Sequence, residues 1–485
     1  MRSGSLALFV AGALTGAAAF AADYSPNVGP SAPKKLLWGD THVHSGWSAD
    51  AGAFGNRLGP EAAVRFARGE EVTSSTGQKA RLDRPLDWVV IADHAEGLGL
   101  IQELAAKSPL MMGDPTTRRW SELIAKGGKD GATAALEMID AQSNGTLPKA
   151  VTGGETLAVM WQRNTAIQEK YNDPGRFTTL IGYEWTSLIK GDNLHRNVIF
   201  RDGKDKADLM VPFTSWDSTN PEDLWKWLQT WEEKTGSKVL AIPHNGNLSN
   251  GRMFALGDLL GNPMTRAYAE ARQRWEPLYE ASQIKGDSEA HPLMSPNDEF
   301  ARFERWDTAN LNGDPKKREQ IPQEYAREAL KNGLKLDGQL GANPFKFGMI
   351  GSSDSHTSLT TTEESNFFGK HVAEEPKADR ATKRSKHLSG WEYSASGLAD
   401  ATGPSRFCGG QPALHQCRPR VSRDAARCRA TRGRFYIRWR RGTTNRRYPP
   451  RPCLQGQTDP GATATSAAAG ERPIDSRARR CQAGF

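Results

Sequence analysis

The chain alternates between short apolar runs that stop at polar turns and longer amphipathic stretches. Leu86 to Ala92 (LDWVVIA) has a β-branched apolar centre and predicts a buried strand. Thr178 to Tyr183 (TTLIGY), Lys238 to Ile242 (KVLAI) and Phe347 to Ile350 (FGMI) predict further short buried strands. Helices are expected between them. Pro221 to Thr235 (PEDLWKWLQTWEEKT) is the clearest, with Asn220 as its cap, Pro221 in its first turn and Gly236 as its stop. Glu155 to Tyr171 and Gln323 to Asn332 read the same way. From Leu36 onward, this alternation implies a parallel sheet in an α/β fold, either open or closed into a barrel. No short-period repeat interrupts it. The 485 residues suffice for one large α/β barrel or two ordinary domains.

Both ends depart from this texture. Arg2, the apolar run from 6 to 20 (LALFVAGALTGAAAF) and the small-residue site Ala19-Phe20-Ala21 read as a signal peptide over 1–21. The run is too short and too rich in Ala and Gly for a spanning helix. A periplasmic or secreted chain starting near Ala22 is expected, with no membrane span after cleavage. Residues 22–35 form a polar, Pro-containing leader loop, and 36–398 carry the main domain. Near residue 400 lysine disappears and arginine dominates, as in RFYIRWRRGTTNRRYPPRP. Residues 399–485 are therefore expected to be a disordered, Arg-rich and aberrant tail, with translation in a shifted frame as its source. The net charge of +8 misleads, since about 18 Arg against about 4 acidic residues lie beyond residue 400, leaving the rest at about −6. A basic tail keeps nucleic-acid binding as a minor reading, and the main domain argues against it. All five cysteines (Cys408, Cys417, Cys428, Cys453, Cys481) also lie late, so a metal in the main domain has only N and O ligands.

Histidine placement changes the picture most. His42 and His44 lie in WGDTHVHSGWSAD, His94 in VVIADHAE, His244 in VLAIPHNGN and His356 in GMIGSSDSHTS, each beside a strand end or extended segment. His195 follows Glu184 in LIGYEWTSLIKGDNLHRNVIF. Functional side chains in parallel α/β folds gather where strands end. An H-x-H pair on an extended segment points both imidazoles to one face. Imidazole with carboxylate suits Zn, Mn or Fe. Asp40 and Asp93 are expected to hold imidazole N–H groups from behind. His291, His371, His387 and His415 read as residues without a metal role. Trp47 and Trp185 read as core packing rather than pocket lining.

The order of H-x-H, aliphatic-x-D-H, a strand-end Glu, single His residues and G-S-x-D-x-H resembles the polymerase and histidinol phosphatase (PHP) superfamily. WGDTHVHSGWSADAG, ADHAE, IGYEWTS, HRNVIFR, QIKGDSEAHPLMSPNDEF and GSSDSHTS look closer still to an exported bacterial branch of unknown function. The resemblance covers about residues 36 to 398 and implies a distorted seven-stranded (β/α) barrel with two or three divalent metal ions. It assigns His42, His44, Glu184 and Asp354 to one ion, Glu184, His195 and His244 to a second, and Asp50, His94 and His356 to a third. Asp50 stands where His is frequent in that superfamily. Relatives of the close branch continue past residue 398 in ordinary sequence, so this chain departs from them there.

The expected chemistry is hydrolysis of a small-molecule phosphate mono- or diester by a metal-activated water. Glu184 and Asp354 are the expected catalytic carboxylates. Arg196 is a candidate phosphate clamp, with an ion pair as its plainer reading. The alternatives are an amidohydrolase-type enzyme acting on C–N bonds or esters, a non-catalytic periplasmic metal-binding protein, and a truncated product that does not fold stably. Glu184 disfavours the amidohydrolase, which usually has a lysine at that place.

Overall fold

The computed structural model describes residues 37–399, except 127, 303–304, 361–365, 379–383, 387–391 and 395–397. The expected signal segment, leader loop and arginine-rich tail therefore lie outside the described residues, apart from Ala399, which ends a short strand.

The architecture is mixed α/β. The strands nearest the histidines are β1 (Gly39–Val43), β2 (Trp88–Ile91), β3 (Thr178–Thr179), β4 (Gly182–Trp185), β5 (Arg196–Phe200), β6 (Val239–Pro243), β7 (Leu278–Gln283), β8 (Gly286–Asp287) and β9 (Gly348–Gly351). They pair in small sheets in the orders β1-β2-β3, β6-β5-β4 and β8-β7-β9, and these ladders do not make a closed barrel. Single parallel bridges join neighbouring sheets at His94 and Glu184, at His244 and Glu280, and at Val43 and Ser355. The sheets thus meet where the chemistry-bearing residues sit.

The expected all-parallel sheet is corrected at β5, which runs antiparallel between β4 and β6. Only residues 186–195 join β4 to β5, too few for the helical crossover that a parallel neighbour needs. This reversal puts the N-terminal end of β5, and with it His195, on the edge where the parallel strands end.

The helices of the main layer include α1 (Ala49–Ala53), α2 (Pro60–Ala67), α3 (Gly154–Tyr171), α4 (Pro221–Thr235), α5 (Arg266–Trp275) and α6 (Ala326–Leu340). On α4, Asn220 accepts a hydrogen bond from the Glu222 N–H, and Gly236 takes the left-handed conformation that stops the helix. Its buried stripe of Leu224, Trp225, Leu228 and Trp231 packs on Tyr183, Trp185, Val198 and Phe200. Trp185 is fully buried there, as core packing requires, and Trp47 packs against the same cluster.

Strand alternation divides the core. Val89 and Ile91 pack outward on Ala63, Val64 and Ala67 of α2. Trp88, Val90 and Ala92 turn the other way, onto Ile199, Leu240, Ile242 and Ile350 from β5, β6 and β9. Among the described residues, no helix is long and apolar enough to cross a membrane.

Candidate metal centre

Strand β1 delivers His42 from its interior and His44 from just past its end, both fully buried. Their Nε2 atoms approach to 3.0 Å. Two carboxylates meet them. His44 Nε2 lies 3.1 Å from Glu184 Oε2 and 3.2 Å from Asp354 Oδ1, and His42 Nε2 lies 3.3 and 3.4 Å from the same two oxygens. Glu184 comes from β4. Asp354 follows β9 in a left-handed backbone conformation (φ 49), which Asp tolerates and which turns the chain sharply past the sheet edge.

The outer nitrogens decide what the inner ones are. His42 Nδ1 faces both Glu280 oxygens at 3.1 and 3.2 Å, so it carries the proton it donates there. His44 Nδ1 lies 3.0 Å from Ser48 Oγ, which donates its own proton to Asp50 at 2.7 Å and so accepts from the imidazole. These hydrogen positions are assigned from the network. When both imidazoles are neutral, two nitrogen lone pairs and two carboxylate oxygens converge with no donor among them. Ligands held at 2.0–2.1 Å from a tetrahedral ion stand about 3.3–3.4 Å apart. Five of the six spacings, all but the one between the two carboxylate oxygens, are 3.0–3.4 Å and so close to that, and the His42, His44 and Glu184 atoms form a group that could hold a divalent ion.

Two further groups adjoin this one. Glu184 Oε1 lies 2.6 Å from His195 Nδ1 and 2.7 Å from His244 Nε2, while His195 Nε2 and His244 Nδ1 are buried without a hydrogen-bond partner. Asp50, on the first turn of α1, brings Oδ2 to 2.6 Å from His356 Nε2 and 3.3 Å from His94 Nε2. Clusters of three or four ligand atoms are thus the buried His42, His44 and Glu184 and His42, His244 and Glu280, and the partly exposed His94, Glu184 and His195 and His44, Asp50, His94 and His356. These clusters are capable of holding metal ions. All nine metal-ligand candidates from the sequence come together, with Asp354 joining through its contacts to His42 and His44.

The electrostatics show a demand for positive charge. Burial pulls the His42 imidazole down, but Asp354, Glu280 and Glu184 outweigh it and carry the pKa up to about 10. His94 rises to about 9 against burial, through Glu184 and Asp50. Burial, only partly offset by neighbouring carboxylates, takes His195 and His356 down to about 3. Glu184 and Asp354 stay ionised well below the usual carboxylate range despite burial, held by the imidazoles around Glu184 and by Lys285 and Lys370 beside Asp354.

Arg196 is the candidate that does not join. It alternates away from His195 into the core, where Nε donates to Glu276 at 3.0 Å and Glu276 also takes the Trp225 indole N–H. A guanidinium committed to a fully buried ion pair is not free to clamp phosphate, so the ion-pair reading of Arg196 replaces the clamp. Asp40 and Asp93 are also corrected. Asp40 accepts from the His42 and Ser353 backbone and the Thr360 hydroxyl, and Asp93 from Ser45, so neither holds an imidazole N–H. Glu280, Ser48 and Thr186 occupy that role instead. His291 pairs with Asp307, apart from the cluster.

Sequence reasoning missed Glu280, Gln283, Lys285 and Lys370. Gln283 Nε2 donates to Asp354 Oδ2 at 2.6 Å, and Lys285 Nζ binds the same oxygen. Lys370 Nζ reaches Asp354 O, Asp354 Oδ1 and His356 Nδ1 at 2.7–2.9 Å. The signal for three of them was the polar run YEASQIKGD, whose alternation puts Glu280 and Ser282 on one strand face.

The chain belongs to the family described as "Protein of unknown function (DUF3604)", which matches residues 31–404. No curated protein and no solved structure matches the chain.

Proposed function

We propose that this member of the DUF3604 family is a metal-dependent hydrolase of phosphate esters on a distorted seven-stranded PHP-type barrel. The observation that carries the reading is that His42 Nε2 and His44 Nε2 lie 3.0 Å apart, with Glu184 Oε2 and Asp354 Oδ1 each 3.1–3.4 Å from both and no proton donor required among them. Two or three ions of Zn, Mn or Fe suit the N and O donors. When bound, such ions supply Lewis acidity that activates water and neutralises charge on a reacting phosphoryl group.

The protein's own residues do the rest. Glu184 offers one oxygen to His42 and His44 and the other to His195 and His244, so it links adjacent groups rigidly. Glu280 fixes the His42 tautomer from behind. The deep side, with His42, His244 and Glu280, is closed to solvent, whereas Asp50, His94 and Lys285 keep 28%, 11% and 15% of their side chains exposed. An accessible edge favours catalysis over a sealed storage site.

Charge favours phosphate. The carboxylates of Asp50, Glu184, Glu280 and Asp354 outnumber the amines of Lys285 and Lys370 by two, and burial lowers the Lys370 pKa to about 7, so the site carries at least two excess negative charges. Two divalent ions reverse that sign and attract a dianion, an advantage that a neutral amide does not share.

The barrel reading has its own support. Counting the three single bridges with the ladders, β1, β2, β4, β5, β6, β7 and β9 follow one another around a ring that returns to β1. The apolar cluster of Val90, Ile199, Leu240, Ile242 and Ile350 suits its interior. Export to the periplasm or medium is part of the proposal and rests on residues 1–21.

The test is a panel of phosphate monoesters and diesters, with lactone, carboxyl-ester and amide arms, assayed with Mn, Zn and Fe. Phosphoester turnover that disappears in Asp354→Asn is expected. Turnover confined to the amide or lactone arms, or none in fully metallated protein, would overturn the proposal.

A further inference from the structure

Two lysines reach the cluster, and their surroundings differ. Lys370 is 8% exposed, burial lowers its pKa to about 7, and its Nζ lies against Asp354 O, Asp354 Oδ1 and His356 Nδ1. These contacts surround its Nζ and tie it to the Asp354–His356 turn. Lys285 sits in the tight turn between β7 and β8 at the accessible edge, with 15% of its side chain exposed. Among the described residues the partner of its ammonium is Asp354 Oδ2, which leaves two of its three donors uncommitted there.

The turn is pinned independently of that ammonium. The Lys285 N–H donates to Gln283 Oε1 at 2.6 Å, and its carbonyl accepts from Asn247 Nδ2 at 3.1 Å. Asp354 Oδ2 also keeps a second donor, Gln283 Nε2. Lys285 can therefore turn its charge toward a ligand without leaving Asp354 bare. Asp354, which its ammonium contacts, and Glu184 and Asp50 act on it electrostatically and keep it charged against burial. With Arg196 committed to Glu276, no guanidinium competes for this task among the described cluster residues.

We infer that Lys285 is a substrate-binding residue whose ammonium takes a non-bridging oxygen of the phosphoryl group being hydrolysed. An ammonium is a compact point charge with rotatable donors, suited to a tetrahedral oxyanion that presents several equivalent acceptors. The inference deepens the hydrolase reading and depends on it.

Inorganic phosphate is the probe, titrated calorimetrically into metal-loaded wild type, Lys285→Met and Lys285→Arg, with metal content measured on each sample. Loss of one charge-assisted hydrogen bond should weaken phosphate binding in Lys285→Met by about 10- to 100-fold, and Lys285→Arg should recover most of it. Metal content should stay unchanged, and KM for a phosphate monoester should rise more than kcat falls. Equal phosphate affinity in wild type and Lys285→Met would overturn the inference while leaving the hydrolase reading intact. Loss of metal from Lys285→Met would also overturn it, since the lysine would then act by holding Asp354. Wild type that holds metal but neither binds phosphate nor cleaves its esters would overturn the phosphoester reading itself.

Discussion

Glu184→Gln isolates the carboxylate that the centre shares. The substitution keeps the side-chain volume, so it opens no cavity in a site that is 1% exposed. It removes the negative charge from an oxygen at 2.6 and 2.7 Å from His195 and His244, and from another at 3.1–3.3 Å from His42, His44 and His94. In metal-free protein, the change weakens three hydrogen bonds to the carboxylate, from His42, His195 and His244, a cost of about 1.5–3 kcal/mol at most for each. The imidazoles can offset part of this by changing tautomer to accept from the new amide. A shift of a few degrees in Tm is therefore expected, without loss of the fold. The effect on metal is larger. Removing a group that merely supports a ligand costs about 10- to 100-fold in affinity, so replacing a ligand facing two groups should cost at least about 100-fold at each. That corresponds to about 2.7 kcal/mol per ion. Competition against a chromophoric chelator, read beside thermal unfolding, gives both quantities. A variant with wild-type affinity and a full metal complement would refute the shared role of Glu184.

Glu280→Gln should lower metal affinity by at least about 10- to 100-fold, since Glu280 fixes the His42 tautomer, and unchanged affinity in the same competition would refute the contact's importance. The pH response follows from His42 and His94, raised to about 10 and about 9 when the carboxylates outweigh burial. A raised imidazole contributes stability that is complete below its unfolded value of about 6.5 and is lost as pH rises through the folded value. Metal-free protein should therefore lose thermal stability as pH climbs toward about 9 to 10, whereas bound metal keeps these imidazoles neutral and should abolish that loss. Calorimetry with and without chelator checks this, and the same alkaline decline in both forms would contradict it.

The candidate ligands were legible because metal chemistry restricts residue type and strand ends restrict position. His42, His44, His94, His244 and Asp354 satisfied both conditions. Helix α4 was legible from its cap, its first-turn proline and its stop, all local signals. Strand β5 was not read as antiparallel, because direction depends on which strands flank it, and local periodicity is the same either way. Glu280 escaped because LYEASQ lacks the β-branched run that marked β2 and β6, so no strand end was expected beside it. Arg196 shows the limit of adjacency. It follows His195 directly, yet strand alternation sends it to Glu276 on the opposite side. Burial of that ion pair is a long-range property, invisible in the flanking residues.

The most direct test of a metal centre is elemental analysis of the full chain purified without chelator and desalted. The proposed function calls for about two to three equivalents of Zn, Mn or Fe per chain, falling steeply when His42 and His44 are both replaced by Ala. Protein that carries less than about 0.2 equivalents, and takes up none when each metal is supplied in turn at neutral pH, would contradict it.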